Sequence, residues 1–163
     1  MKFVYIIDSM NSMKHWLMKS EPEAYSIDDL ERDQQEHWDG IRNYQARNLM
    51  RDEMKVGDQV LFYHSSCAEP GVVGLAEVCK EAYPDFTAWD PQSKYFDPKA
   101  SPDNPIWLMV DLQYKATLST PITLKQLRTV PELEGLLLLK KGMRLSVQPV
   151  SEEHYQVITG LIG

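Results

Sequence analysis

Two neighbouring runs of strand-forming residues constrain this chain most. Gln59–His64 reads Gln-Val-Leu-Phe-Tyr-His, and residues 72–83 continue in Val, Leu, Ala and Tyr. Such side chains favour a pleated, packed surface. The connector, residues 65–71, holds Pro70-Gly71, a turn signal. Gly74 inside the second run marks a bulge or a close backbone approach.

The segments around these strands are short and of both kinds. His15–Lys19 predicts a strand ended by Glu21-Pro22. Ser26 caps a short helix with Ile27 and Leu30 inward. Asn43 caps a second helix reaching Glu53, with Ala46, Leu49 and Met50 inward. Val56-Gly57-Asp58 is a turn. Residues 84–105 carry five of the ten prolines together with Trp89, Tyr95 and Phe96, which predicts a long ordered loop. Ile106–Ala116 predicts a strand, Thr123–Thr129 a short helix and Leu133–Leu139 another. Arg144–Gln148 predicts a final strand, and Ser151 caps a C-terminal helix with Tyr155, Ile158 and Leu161 inward. Strands and helices intermix without regular βαβ spacing. The expected class is therefore α+β, a small mixed barrel flanked by short helices rather than a parallel sheet. Residues 1–12, ending in Asp8-Ser-Met-Asn-Ser12, are expected to form an extension outside a single domain spanning residues 13–163.

The bulk numbers exclude several function classes. The net charge of −7 disfavours indiscriminate coating of DNA, which depends on many phosphate-neutralising cations. The charge is uneven: residues 14–37 set seven Asp/Glu against three Lys/Arg, while 140–150 hold Lys140, Lys141 and Arg144 and no acid. A nucleic-acid contact is expected to be small and one-sided. The two cysteines, Cys67 and Cys79, do not make a disulfide framework, which suggests a reducing compartment. No apolar run reaches 18 residues, and the five-residue run before Asp8 is too short for a signal-peptide core. A cytoplasmic protein with no membrane span is the expectation.

Four constellations carry candidate chemistry. Trp38-Asp-Gly-Ile-Arg-Asn-Tyr-Gln-Ala-Arg-Asn48 gathers two rings, two guanidiniums and three amides around an Asp-Gly turn. That mixture suits a planar polar ligand such as a nucleobase with its phosphates. Trp38 reads equally as a core anchor, and Asn43 as a helix cap. Tyr63-His64-Ser65-Ser66-Cys67 ends a strand in a loop, where binding residues concentrate. His64 with Cys67 also permits a nucleophilic reading, although no third orienting group is evident. Lys19-Ser20 sits at a strand end, within reach of a phosphate or a base carbonyl. Arg144, Ser146 and Gln148 share one face of the predicted final strand. His64, Cys67, Cys79 and His154 lack metal-site spacing, so no metal is expected. No phosphate-binding loop, dinucleotide fingerprint or zincin motif occurs, and no cofactor is expected.

Taken in order, Trp16–Pro22, Trp38–Asn48, Gly57–Ser65, Gly74–Val78 and Arg144–Pro149 closely resemble the EVE-domain family, over about His15 to the C-terminus. The short single-domain layout looks like a bacterial member. The resemblance implies a PUA-like pseudobarrel and kinship with YTH domains, readers of methylated adenine. It implies non-catalytic binding of DNA or RNA through a modified base, a cytosine or adenine derivative, flipped or single-stranded. The implied base pocket comprises Lys19, Ser20, Trp38, Asn43, Tyr44, Tyr63, His64, Ser65, Arg144 and Ser146, with Trp38 as stacking platform. Arg42, Lys140 and Lys141 are the expected phosphate contacts. Tyr44, Tyr63 and Trp89 all remain open as the residue completing an aromatic cage. The rival readings are a nucleic-acid-acting enzyme using His64 and Cys67, and a protein-interaction module working through the 84–105 loop with a partner of unknown identity.

Overall fold

The computed structural model describes residues 13–163. The expected extension over residues 1–12 lies outside them. The chain forms β1 (His15–Ser20), α1 (Ile27–Asp33), β2 (Gln35–His37), α2 (Tyr44–Asp52), β3 (Gln59–His64), β4 (Gly71–Pro84), β5 (Leu108–Thr123), α3 (Leu124–Leu127), β6 (Val147–Val150) and α4 (Glu152–Thr159). Three 3-10 turns, Phe86–Trp89, Pro131–Leu133 and Leu137–Leu139, fill the connections. The six strands make one sheet in the order β2-β5-β4-β3-β1-β6. The β1–β3 pair is parallel and the other pairings are antiparallel. The α+β class holds.

Both faces of the sheet are covered, so its central strands are apolar on both sides. Trp16, Met18, Val60, Phe62, Ala76 and Val78 pack with Ile27, Leu30, Ala46 and Met50 of α1 and α2. Leu17, Leu61, Tyr63 and Val72 face the opposite way, against Leu127, Leu133, Leu138 and Ile158. Successive residues of a strand point to opposite faces, and burial of both faces explains the unbroken run Val60-Leu-Phe-Tyr63.

The parallel β1–β3 pair requires a long crossover. Residues 21–58 supply it and carry α1, β2, α2 and Trp38 across one face. Ser26 accepts from the Asp29 N–H and Asp29 returns the bond to the Ser26 N–H, closing a capping box on α1. Asn43 Oδ1 accepts from the Ala46 N–H at 2.9 Å and caps α2. Gly74 lies under Ile27, and a Cβ there would stand 2.7 Å from the Ala116 carbonyl oxygen, so α1 can seat only on a glycine. Asp58, 2% exposed, accepts from Trp16 Nε1 and from the backbone N–H groups of Lys14 and Lys55, tying the crossover's end to β1.

Several elements differ from expectation. The strand expected over Arg144–Gln148 begins at Val147. Gln148 is buried and donates to the Leu145 carbonyl, so it does not share an open face with Arg144 and Ser146. β5 runs on to Thr123, because its far half pairs with Gly71 and Val72. The helix expected over 133–139 is two separate 3-10 turns, with Gly135 at φ +90° interrupting any helix. β2 has no apolar alternation at all; it exists because Gln35–His37 pair with Asp111–Gln113 of β5.

Candidate functional site

A cleft of about 710 Å³ opens where the C-terminal end of β1 meets the crossover. One wall is Lys19 and Ser20 with Tyr25 from the turn beyond. The second is Glu36 to Ile41, including Trp38. Ser65, Ser66, Lys94, Tyr95, Arg144 and Ser146 complete the rim. A groove of about 500 Å³ adjoins it, sharing Lys19 and Met143 and adding Tyr63, Arg128, Lys140 and Lys141.

Trp38 serves the core and the cleft together. It is 7% exposed and meets Phe62 edge-to-face at 5.4 Å and Tyr25 at 6.3 Å. Its backbone N–H donates to the Val110 carbonyl at 2.7 Å. The next turn is held as tightly. Gly40, at φ +82°, donates its N–H to Asp85 at 2.9 Å. A Cβ on Gly40 would lie 2.6 Å from the Tyr95 ring, so the missing side chain lets Tyr95 close over the turn.

Asp85 is wholly buried and also accepts from Arg42 Nη1 (2.9 Å), the Thr87 N–H (2.9 Å) and the Thr87 hydroxyl (2.6 Å). Burial alone would raise its pKa. The bonds from Thr87, Gly40 and Arg42 outweigh that and hold the carboxyl below its ordinary value. Arg42 Nε in turn donates to the Tyr95 carbonyl, tethering the proline-rich loop to the cleft.

Of the expected pocket residues, the fold brings Lys19, Ser20, Trp38, Ser65, Arg144 and Ser146 together. The Lys19 N–H bonds the Ser146 carbonyl and the Ser65 N–H the Ser20 carbonyl, so these segments are stitched side by side. Burial lowers the Lys19 pKa. Among the described residues Lys19, Lys94 and Arg144 make no ion pair.

The remaining expected residues sit elsewhere. Asn43 is a cap at the start of α2, outside the cleft. Tyr44 stacks on Trp107 at 4.7 Å with the Arg47 guanidinium 4.7 Å from its ring, an exposed structural stack. Tyr63 lies on the opposite face of the sheet in the second core and reaches only the adjoining groove. His64 Nε2 accepts the Ile27 N–H at 3.1 Å, which occupies its lone pair. Arg42 is committed to Asp85, whereas Lys140 and Lys141 do line the groove. Trp89 packs beside Ala88, Ala100 and Trp107 and completes no cage. The rings at the cleft are Trp38, Tyr25, Tyr95 and His37. Sequence reasoning missed the last three. Only the Asp39-Gly40 turn hinted that an aromatic side chain closes there. Among the described residues no three His, Cys, Asp or Glu side chains gather as a metal site requires, and no helix is long and apolar enough to cross a membrane.

The sequence pattern of the EVE domain matches residues 14–161. Human thymocyte nuclear protein 1 is 39% identical over 93% of this chain and 75% of its own length. This chain belongs to the EVE-domain family.

Several solved structures superpose closely on this chain. A Leishmania major protein is 52% identical with a TM-score of 0.88, covering 91% of this chain and 94% of its own. A Pseudomonas syringae protein is 46% identical with a TM-score of 0.88, covering 91% and 99%. The human thymocyte nuclear protein 1, crystallised with DNA containing 5-methylcytosine, is 41% identical with a TM-score of 0.85, covering 91% and 96%. The fold is the PUA-like fold of that family.

Proposed function

We propose that this EVE domain binds nucleic acid through a modified base, which enters the cleft beside Trp38, while the adjoining groove takes the strand's phosphates. The observation that carries the reading is the human relative solved with 5-methylcytosine DNA, similar to this chain over nearly its whole length. The cleft's volume falls within the range of small-ligand pockets, about 300–1,000 Å³. Its lining mixes aromatic faces with Lys19, Lys94 and Arg144, the combination that stacks a base and neutralises its backbone. Lys140, Lys141 and Arg128 continue that positive surface from the shared Lys19. A base reaches such a cleft only unstacked, by flipping from a duplex or from a single strand. Binding without turnover fits the engagement of His64 with Ile27.

The test is an anisotropy titration of duplex and single-stranded DNA, and of RNA, with and without 5-methylcytosine. Trp38→Ala is expected to weaken binding by roughly 1–3 kcal/mol through lost stacking. Because Trp38 also packs in the core, Arg144→Ala, an exposed position, is the companion variant and should weaken binding with the fold intact. Equal affinity of all three proteins for every oligonucleotide refutes this site.

A further inference from the structure

Three carboxylates line the cleft: Glu21, Glu36 and Asp39. Glu21 is exposed on the turn after β1. Glu36 is engaged, accepting from the His37 N–H at 2.9 Å with His37 Nδ1 at 3.2 Å. Asp39 differs from both. Its side chain is only 32% exposed, and its nearest basic group is His37 Nε2 at 3.8 Å, beyond hydrogen-bond reach. Among the described residues no donor satisfies it. Its backbone is nevertheless fixed on both sides, by the Trp38 bond to Val110 and the Gly40 bond to Asp85. A half-buried carboxyl with no protein donor among the described residues, carried on a fixed backbone at the cleft, is placed to meet a ligand.

Resting on the base-binding reading above, we propose that Asp39 selects the base by pairing with an exocyclic amine and the basic ring nitrogen next to it, the Watson–Crick edge that cytosine and its derivatives present as adenine does, and that thymine lacks. One carboxyl oxygen accepts from the amine N–H. The other shares a proton with the ring nitrogen, which is otherwise an acceptor facing an acceptor. Thymine carries an N–H at that ring position and no amine, so it offers the carboxylate one donor flanked by two carbonyl oxygens. A methyl group at the 5-position lies away from this edge and leaves the pairing intact.

The surroundings favour retention of the proton. Burial, then the neighbouring Asp85, raise the Asp39 pKa; His37 and Arg42 oppose the rise and Glu36 adds to it. Lys19, Lys94 and Arg144 face the cleft from the other elements. Cytosine binding by this route takes up a proton when Asp39 starts ionised, whereas thymine binding takes up none.

The experiment measures the affinity of the full chain between pH 6 and 8 for one oligonucleotide carrying a single 5-methylcytosine or, at that position, thymine. Wild type should bind the cytosine strand progressively more weakly as pH rises, approaching tenfold per pH unit for one linked proton. The thymine strand should lack that added slope. Asp39→Asn keeps a donor and an acceptor without titrating, so its cytosine and thymine slopes should coincide. Asp39→Ala should lose about ten- to a hundredfold of the cytosine preference. His37→Gln removes the imidazole nearest Asp39 and should retain the difference between strands. Circular dichroism checks the fold of each variant. Equal slopes for the two strands in wild type, or an undiminished preference in Asp39→Ala, overturn the proposal. If those results come from a protein whose binding still depends on Trp38 and Arg144, the base-binding reading stands and only Asp39's role falls. If wild type binds neither strand, nor any of the oligonucleotides of the titration above, both fall.

Discussion

Replacing Asp85 by Ala removes a wholly buried carboxylate that collects four hydrogen bonds from Gly40, Arg42 and Thr87. The Arg42 guanidinium would keep the Tyr95 and Ile41 carbonyls and the Thr87 hydroxyl but lose its counter-ion. Breaking a buried ion pair from one side costs about 3–5 kcal/mol. Arg42 is 22% exposed, so water reaches it and the lower end applies, about 3 kcal/mol. For a domain of this size that is a fall in Tm of roughly 6–12 °C. Urea unfolding followed by tryptophan fluorescence measures the loss directly, with an unchanged m-value marking a true stability effect. Adding Arg42→Met to Asp85→Ala removes the orphaned charge and should recover about 1 kcal/mol or more. The pH dependence has a fixed sign. A carboxyl whose pKa is depressed by folding stabilises above the ordinary value near ~3.9 and loses that contribution as pH falls through the folded value. The wild-type and Asp85→Ala stabilities should therefore converge in strong acid. A loss below about 1 kcal/mol, or a double variant no better than the sum of its parts, would refute the idea that Asp85 holds the Gly40–Tyr95 rim.

Two further outcomes are expected. Burial lowers the His64 pKa against an opposing pull from Asp28, and its neutral Nε2 is needed by Ile27. That stability is present above the ordinary value near ~6.5 and falls as pH drops toward the folded value, so His64→Gln should flatten the stability–pH slope just below neutrality; an unaltered slope argues against it. In the groove, Lys140→Ala with Lys141→Ala should leave Tm unchanged and reduce the log–log salt slope of duplex binding by about 1.8, the equivalent of two phosphates; an unchanged slope places the backbone elsewhere.

The local elements were legible in the sequence because their causes are local. Ser26, Asn43 and Ser151 each cap the helix they precede, as short polar side chains do wherever they meet a free backbone N–H. The Gln59–His64 and 72–83 strands followed from their packing side chains, and Gly74 from its lack of one. The family, too, was carried by motif order alone.

Which side chains share the cleft was a different matter. Tyr63 and His64 are adjacent to Ser65 in the chain, yet strand alternation sends Tyr63 through the sheet and a hydrogen bond from α1 claims His64. Arg42 and Tyr44 lie near Trp38 in sequence, yet Asp85 and Trp107, brought in by the proline-rich loop, bind them outside the cleft lining. Conversely Tyr25, Asp39 and Tyr95 reach the cleft through the parallel crossover and through a turn that only Gly40 permits. Sequence determines caps, periods and turns, whose partners lie within a few residues. The site depends on contacts between segments far apart in the chain, such as Gly40 with Asp85 and Lys19 with Ser146, so the tertiary structure alone decided which residues line the cleft.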